Sequence, residues 1–171
     1  MAERRIVTYG DPVLREVSQP VDDINQEIKD LVSDLTDTLK KAKGLGLSAV
    51  QLGVLKRVFV VDLSAVDLTE SLRVFINPEI VAGDGEIEME EGCLSFPGIY
   101  QKIVRPQKVT IRALDQDGKS FEITTTGLAA RAVLHEFDHL EGILFIDHMS
   151  SITRTLLRGR LRKMARGTVA A

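Results

Sequence analysis

The chain has 171 residues, of which 44% are hydrophobic, and a formal net charge of −3. This length and composition predict a single domain of ordinary size with its own hydrophobic core, spanning residues 1–171. Lysines and arginines are scattered without a basic stripe, and no apolar run has membrane-spanning length. We therefore expect a soluble, cytoplasmic protein with no DNA or membrane partner.

The first predicted element is an amphipathic helix that begins near Asn25 and ends near Gly44. Lysines near its end suit the negative end of the helix dipole, and Gly44 can take the left-handed conformation that ends a helix. A loop, Gly44-Leu45-Gly46, is expected next. The helix is predicted because apolar residues recur at spacings of three and four: Ile24, Ile28, Leu31, Val32, Leu35 and Leu39.

Residues 57–126 are predicted to form mostly antiparallel strands. Glycine, proline, aspartate or asparagine separates four β-branched runs: RVFVVDL, LRVFINPEIV, KVTIRALD and FEITTT. Asp117 and Gly118 lie between the last two runs. Because both residues tolerate positive φ, they predict a two-residue hairpin turn.

Helical periodicity returns at residue 128 and again at residue 150. One stripe of the first of these helices carries Leu128, Ala132, His135 and His139, so both histidines are expected to face inward. Residues 150–166 are predicted to form a basic C-terminal helix that packs through Leu156, Leu157 and Leu161. The expected fold class is α+β, with antiparallel β-sheets packed around the central histidine-bearing helix and with N-terminal and C-terminal helices.

The strongest local signal is the sequence HEFDH from His135 to His139. Two histidines four residues apart on a helix project to the same side and can chelate one metal ion. Glu136 lies about 100° around the helix from His135. It is therefore expected beside the metal, where it can exchange a proton with a bound water.

Such a site needs a third ligand, and Cys93 is the obvious candidate. A thiolate is an excellent ligand for zinc or ferrous iron. Cys93 is the only cysteine, so it cannot form a disulfide within one chain. Taken without its context, however, a single cysteine is more often a small buried hydrophobe.

Three blocks of sequence resemble the signature motifs of the peptide deformylases. They are GLGLSAVQ from Gly44 to Gln51, EGCLS from Glu91 to Ser95, and HEFDH from His135 to His139. The opening IVTYGDPVLR, residues 6–15, also resembles the N-terminal strand and turn of that family. Ser48 stands where the first motif usually has alanine.

The resemblance implies an enzyme that removes the N-formyl group from the formylmethionine of nascent polypeptides and releases formate. It implies that Cys93, His135 and His139 bind one divalent metal ion, with water in the fourth position, and that Glu136 is the general acid and base. Ferrous iron is the metal expected in the cell, with zinc, nickel or cobalt as substitutes. Bacterial cytoplasm is the expected location, and an organelle form is compatible with the same sequence.

The resemblance also implies how the substrate is held. The side-chain amide of Gln51 and the backbone N–H of Leu94 are expected to donate hydrogen bonds to the formyl oxygen. Glycines in the first block allow close approach of a peptide backbone. The expected substrate-binding residues are Leu45, Gly46, Met89, Gly92 and Leu128, with Leu45, Met89 and Leu128 near the methionine side chain.

Charged residues also lie close to these motifs. Arg131 stands one helical turn before His135, and two placements are open for it. Either its stem lines the pocket while its guanidinium reaches solvent, or it points inward and alters substrate preference. The resemblance also suggests that Glu91 forms an ion pair with Arg105 that fixes the loop of Cys93.

Two other functions remain compatible with these residues. A zinc endopeptidase of the HExxH kind would take its third ligand downstream, from Glu141 or His148, and would keep its metal after Cys93→Ser. A metal-stabilised binding module would close the triad around a structural ion. Its basic C-terminal helix, residues 154–166, would dock on an acidic partner such as ribosomal RNA. In a deformylase, the same helix would aid association with the ribosome.

Overall fold

The computed structural model describes residues 4–170. Within them the chain forms three α-helices: α1 (Gln26–Ala42), α2 (Gly127–Leu140) and α3 (Ser151–Ala170). The strands are β1 (Gly46–Ser48), β2 (Val58–Asp62), β3 (Leu72–Asp84), β4 (Ile87–Gly92), β5 (Tyr100–Arg105), β6 (Lys108–Leu114) and β7 (Ser120–Thr126). Short 3₁₀ turns lie at Pro12–Arg15, Ala49–Leu52, Leu63–Ala65 and Phe145–His148.

The strands form two antiparallel sheets. Five strands pair in the order β1-β2-β3-β6-β7, while β4 and β5 pair only with each other. In the smaller sheet, Ile87 lies opposite Arg105 and Gly92 lies opposite Tyr100. The predicted α+β class, with antiparallel sheets and helices towards both ends of the chain, is confirmed.

Buried apolar side chains hold the three helices in place. α1 packs through Leu31 and Leu35 in a cluster with residues of β1 and β2, and α2 packs through Val133 against the larger sheet. α3 packs through Leu157 and Leu161. Each buried leucine contributes about 1.5–3 kcal/mol from the removal of apolar surface from water. The histidine-bearing helix is thereby fixed against β1, β2 and β7.

The first helix begins as predicted but ends differently. The Asn25 side chain accepts a hydrogen bond from the Ile28 N–H at 3.1 Å and caps the helix. The left-handed residue at the other end is Lys43, with φ of +58°, so the prediction of Gly44 for that role is wrong. Gly44 instead allows close packing, because a Cβ there would lie 2.8 Å from Leu94 Cδ1.

All four predicted β-branched runs form strands, and the predicted hairpin connects the last two. The turn itself is longer than predicted. The Asp115 N–H donates to the Lys119 carbonyl at 2.9 Å, which leaves residues 116–118 in the turn. The Asp115 side chain also accepts from the Asp117 N–H, and of the predicted pair only Gly118 has a positive φ.

Strands β1, β4 and β5 were not predicted. β1 has three residues, too few for a periodic signal. β4 and β5 read IEMEEG and YQKIVR. Their β-branched residues are Ile87, Ile103 and Val104, too few to form the β-branched runs that identify the other strands. This small sheet brings Glu91 and Arg105 onto adjacent strands.

The C-terminal helix was predicted for residues 150–166 and extends to Ala170. Leu157 and Leu161 are buried as predicted, but Leu156 is 79% exposed. Leu156 lies about 100° around the helix from Leu157, and in α3 this places it outside the face that packs on the core. No helix within residues 4–170 combines the length and the apolar composition needed to cross a bilayer.

Candidate active site

Cys93, His135 and His139 meet beside one cleft. One donor atom of each residue lies within 4.8 Å of those of the other two, and Cys93 Sγ is 3.4 Å from His139 Nε2. Donors bound at about 2.0–2.3 Å to one tetrahedral ion lie roughly 3.3–3.8 Å apart. Small side-chain adjustments would therefore close this triad around an ion, and its chemistry suits Zn²⁺ and Fe²⁺ alike.

Two elements present these donors. His135 and His139 lie one turn apart on the buried side of α2, and Cys93 directly follows the last residue of β4, Gly92. Gly92 has no room for a side chain, since a Cβ there would lie 2.5 Å from the ring of Tyr100. This glycine lets the aromatic ring lie over the backbone immediately before the cysteine.

The carboxylate of Glu91 binds the Nδ1 side of the His135 ring. It lies 2.6 Å from His135 Nδ1, accepts hydrogen bonds from Arg105 at 2.7 and 2.8 Å and accepts another from Arg131 at 2.8 Å. The predicted ion pair between Glu91 and Arg105 is confirmed. Because Nδ1 faces the carboxylate, Nε2 is the ring nitrogen left to bind a metal.

These contacts set the charges around the triad. Burial alone would raise the pKa of Glu91, but the hydrogen bonds from Arg105 and His135 outweigh it and hold that pKa well below the usual range. Burial would lower the pKa of His135, but Cys93 and Glu91 outweigh it and raise that pKa. Burial and the charge of His135 lower the pKa of His139. His139 is thus kept in the neutral form that binds metals.

Arg131 takes the inward of its two possible placements. Its side chain is 3% exposed, and it donates to the Ile87 carbonyl at 2.9 Å as well as to Glu91. Its guanidinium therefore does not reach solvent. The buried carboxylate of Glu91 supplies the counter-charge that makes this burial tolerable. Arg131 nevertheless lines the cleft, and its Nε has no hydrogen-bond partner in the described structure.

The carboxyl group of Glu136 lies against the backbone of β1. A Cβ added at Gly46 would lie 2.9 Å from Glu136 Oε2, so this glycine makes room for the carboxyl group. Oε1 is buried and has no hydrogen-bond partner within the described residues. Burial raises the pKa of Glu136 to about 7, against the opposing effect of His135.

Gln51 is buried close to the cysteine of the triad. Its Nε2 donates to Ser95 Oγ at 2.9 Å and lies 3.7 Å from Cys93 Sγ. Its Oε1 accepts hydrogen bonds from the N–H and the hydroxyl of Ser48 at 3.0 and 3.1 Å. Next to Cys93, the Leu94 N–H donates no hydrogen bond to any residue between 4 and 170.

The cleft has a volume of about 450 Å³. Of the predicted substrate-binding residues, Leu45, Gly46, Gly92 and Leu128 line it. Met89 is half-buried on β4 and is not among the described residues that line the cleft. β1 is the edge strand of the larger sheet, and β4 is paired only with β5. The cleft is therefore bordered by two strand edges whose main-chain N–H and C=O groups can form hydrogen bonds with an added strand.

The two alternative third ligands are engaged elsewhere. His148 lies 2.8 Å from Asp138, and Glu141 forms an ion pair with Arg57 at 3.0 Å. In the described part of the chain, the metal-type cluster contains Cys93 and the two histidines of α2, and neither alternative belongs to it. The geometry therefore disfavours the endopeptidase arrangement.

Sequence reasoning missed three supporting residues. Arg131 lies 40 residues from Glu91 in the chain, so the sequence does not connect the two. Ser95 belongs to the EGCLS motif and Ser48 replaces an alanine of the first motif, but neither position indicates a role by itself. The available signals are an arginine one helical turn before His135 and a polar residue in place of alanine.

Comparisons with known proteins match this chain to one family. The family model described as polypeptide deformylase matches residues 3–155. A peptide deformylase of Acidobacterium capsulatum is 46% identical over 166 residues, which cover 97% of this chain and 98% of that protein. A solved peptide deformylase from Legionella pneumophila has a TM-score of 0.89 and 44% identity, covering 99% of both chains. A Plasmodium falciparum peptide deformylase solved in complex with an inhibitor has a TM-score of 0.85 and 38% identity, covering 94% of this chain and 99% of that one.

Proposed function

The chain belongs to the polypeptide deformylase family, and we propose that it carries out its reaction in the cleft beside Cys93, His135 and His139. The protein is a metal-dependent amide hydrolase that removes the N-formyl group from nascent polypeptides and releases formate. This site is chosen because three metal-type donors meet there beside the buried carboxyl group of Glu136, whose Oε1 has no hydrogen-bond partner in the described structure.

The proposed metal ligands are Cys93, His135 and His139. The support of His135 by Glu91 and the lowered pKa of His139 favour their binding a cation. When bound, the ion supplies Lewis acidity, which polarises the formyl carbonyl and makes water more acidic. We propose ferrous iron as the metal in the cell, with zinc, nickel or cobalt able to substitute.

The proposed proton carrier is Glu136. Its Oε1 is buried without a partner among the described residues, so it is available to take a proton from the attacking water. The same carboxyl group then delivers a proton to the departing amine. General acid–base catalysis by a positioned group contributes roughly 10²- to 10⁴-fold in rate.

The proposed donors to the formyl oxygen are the Gln51 side-chain amide and the Leu94 N–H. Both residues line the cleft. As the carbonyl carbon becomes tetrahedral, its oxygen gains negative charge, and fixed donors stabilise that charge. Loss of one such donor typically costs about 2.7–4 kcal/mol of transition-state stabilisation.

We propose that the substrate peptide lies between the edges of β1 and β4. Gly46 of β1 and Gly92 of β4 both line the cleft, and strand edges recognise an extended peptide through main-chain hydrogen bonds. Leu45 and Leu128 line the cleft and form the proposed pocket for the methionine side chain, whereas the predicted third member, Met89, is not among the described lining residues.

The setting of the reaction is also a proposal. We propose bacterial cytoplasm as its location, because the substrate is a nascent chain and relatives such as that of Acidobacterium capsulatum are bacterial. Residues 1–171 would act as a single catalytic domain. The basic face of α3, with exposed Arg154 and Arg158, would aid association with the ribosome. Such an electrostatic association should weaken at high salt.

Formate release from formyl-Met-Ala-Ser by anaerobically purified protein tests the proposed site. Glu136→Ala should lower kcat by roughly 10²- to 10⁴-fold while the bound metal is retained. Cys93→Ser should lose both metal and activity. Retention of metal after Cys93→Ser would exclude the proposed ligand set and revive the endopeptidase arrangement.

A further inference from the structure

The side-chain amide of Gln51 has partners whose hydrogen-bond directions are fixed by chemistry. A backbone N–H can only donate, so the Gln51 atom 3.0 Å from the Ser48 N–H must be the oxygen Oε1. Ser95 Oγ lies 2.7 Å from the Val7 carbonyl, which can only accept. The Ser95 hydroxyl therefore gives its hydrogen to Val7 and accepts the Gln51 Nε2–H at 2.9 Å.

This arrangement fixes where the second hydrogen of Gln51 Nε2 points. One hydrogen is used by Ser95, and the other is left on the side of Cys93, whose Sγ is 3.7 Å away. A half-turn of the amide would set its NH₂ against the Ser48 N–H and its oxygen against a Ser95 lone pair. Both hydrogen bonds would then be lost in a buried site, so the amide has one favoured orientation.

The N-terminal segment anchors the arrangement. The Val7 N–H donates to the Gln51 carbonyl at 2.7 Å, and the Tyr9 N–H donates to the Ser95 carbonyl at 2.9 Å. Residues 6–9 therefore connect the main chains of Gln51 and Ser95, and Ser95 Oγ adds the connection to Val7. Ser48 and Ser95 are fully buried, so solvent water cannot replace either hydroxyl.

We infer that Ser95 is a positioning residue for the reaction: it keeps the second N–H of Gln51, the one on the side of Cys93, aimed at the formyl oxygen. Ser48 binds the oxygen of the same amide through its backbone N–H and its hydroxyl. Its backbone N–H alone would still hold the amide oxygen in part if the hydroxyl were removed. This inference rests on the proposed role of Gln51 as a donor in deformylation. Ser95 acts through Gln51 and does not itself touch the reacting atoms.

A double-mutant cycle tests this dependence, using wild type, Ser95→Ala, Gln51→Ala and the double variant. Gln51→Ala should lower kcat by roughly 10²- to 10³-fold. Ser95→Ala should lower kcat by about tenfold to 10²-fold, with KM little changed, because misplacement of a catalytic group by an ångström has an effect of that size. In the Gln51→Ala background, Ser95→Ala should have no further effect on kcat. An equal loss in both backgrounds would overturn the inference.

A matched control separates positioning from general stability. Ser18 is also buried, but its hydroxyl has no hydrogen-bond partner in the described residues. Ser18→Ala should leave kcat and metal content unchanged. If Ser95→Ala does not fold, Ser48→Ala replaces it in the cycle, with an expected loss of a few-fold that disappears in the Gln51→Ala background. Absence of that coupling would equally overturn the inference.

A readout independent of activity is the NMR signal pair of the Gln51 side-chain NH₂ in zinc-loaded, ¹⁵N-labelled protein. Gln51→Ala identifies the pair by its disappearance. Ser95→Ala should shift the pair, whereas Ser18→Ala should not, and an unshifted pair in Ser95→Ala would contradict the inference. Failure of wild type to release formate would instead count against the proposed function, so the two failures are distinguishable.

Discussion

Two hydrogen-bond networks flank the cleft, and they differ in charge. On the α2 side, His135 is held by Glu91, which also binds Arg105 and Arg131. Arg105 continues to Asp138 at 3.0 Å, so that network is ionic throughout. On the β1 side, Gln51 is held by two serine hydroxyls and by backbone groups of residues 7 and 48, all of them neutral.

The difference follows from what each network supports. A carboxylate behind an imidazole fixes the ring and raises its basicity, which strengthens metal binding. A donor to a developing oxyanion must instead be fixed in direction, and neutral hydrogen bonds are sufficient for that. Unpairing a buried charge is far more costly than unpairing a buried hydroxyl. We therefore expect damage to the ionic network to appear first in stability and metal content, and damage to the neutral network to appear first in kcat.

The largest effect on stability is expected for Glu91→Ala. The change leaves Arg105 and Arg131 buried without their shared counter-charge, which should lower the free energy of unfolding by about 3–5 kcal/mol. Metal content should fall as well, because His135 loses its support. Urea unfolding and metal analysis measure the two effects. Glu88→Ala, at an exposed position of the same strand, is the control, and equal losses in the two variants would contradict the comparison.

A smaller loss is expected for Arg131→Met. Methionine keeps an unbranched apolar stem in the cleft wall, and Glu91 keeps its contacts with Arg105 and His135. The carboxylate loses one hydrogen bond to a charged group, and the partly buried Ile87 carbonyl loses its arginine donor, so unfolding should become easier by at least about 1.5–3 kcal/mol. Metal content should stay near the wild-type value. Loss of metal comparable to that of Glu91→Ala would show that Arg131 is as important as the carboxylate it contacts.

The neutral network should lose still less stability. Ser48→Ala removes one neutral hydrogen bond to Gln51, while the backbone N–H of residue 48 keeps the other. A single neutral hydrogen bond contributes about 0.5–1.5 kcal/mol, so urea unfolding should shift by that amount. A loss as large as that of Arg131→Met would remove the distinction between the two networks.

The sequence predicted the parts of this site that depend on local spacing. Two histidines one helical turn apart indicate a shared ligand face, and the structure brings Cys93 to them as expected. It did not predict β4 and β5, because neither contains a run of β-branched residues, although residues 87–90 alternate between apolar and charged side chains. The contacts that these strands create were largely missed for the same reason. The pairing of Arg131 with Glu91 depends on two elements meeting in space, which no local periodicity reports.

The smallest effect on stability is expected for the ion pair between Arg15 and Asp147, which lies outside both networks. Because both side chains are partly exposed, this pair shows how little such a contact contributes. Burial would raise the pKa of Asp147, but hydrogen bonds from Arg15 and from the Leu144 N–H outweigh it and lower that pKa. Its contribution to stability is therefore present above the ordinary aspartate pKa and is lost as the pH falls through the lowered value.

At neutral pH, Asp147→Asn should cost less than about 1 kcal/mol, because the carboxylate is one-third exposed. Urea unfolding of both proteins at successively lower pH should bring the two stabilities together in acid, since wild type then loses the charged pair that the variant lacks. A difference that stays constant with pH would mean that the asparagine changes packing and that the charge of Asp147 contributes nothing.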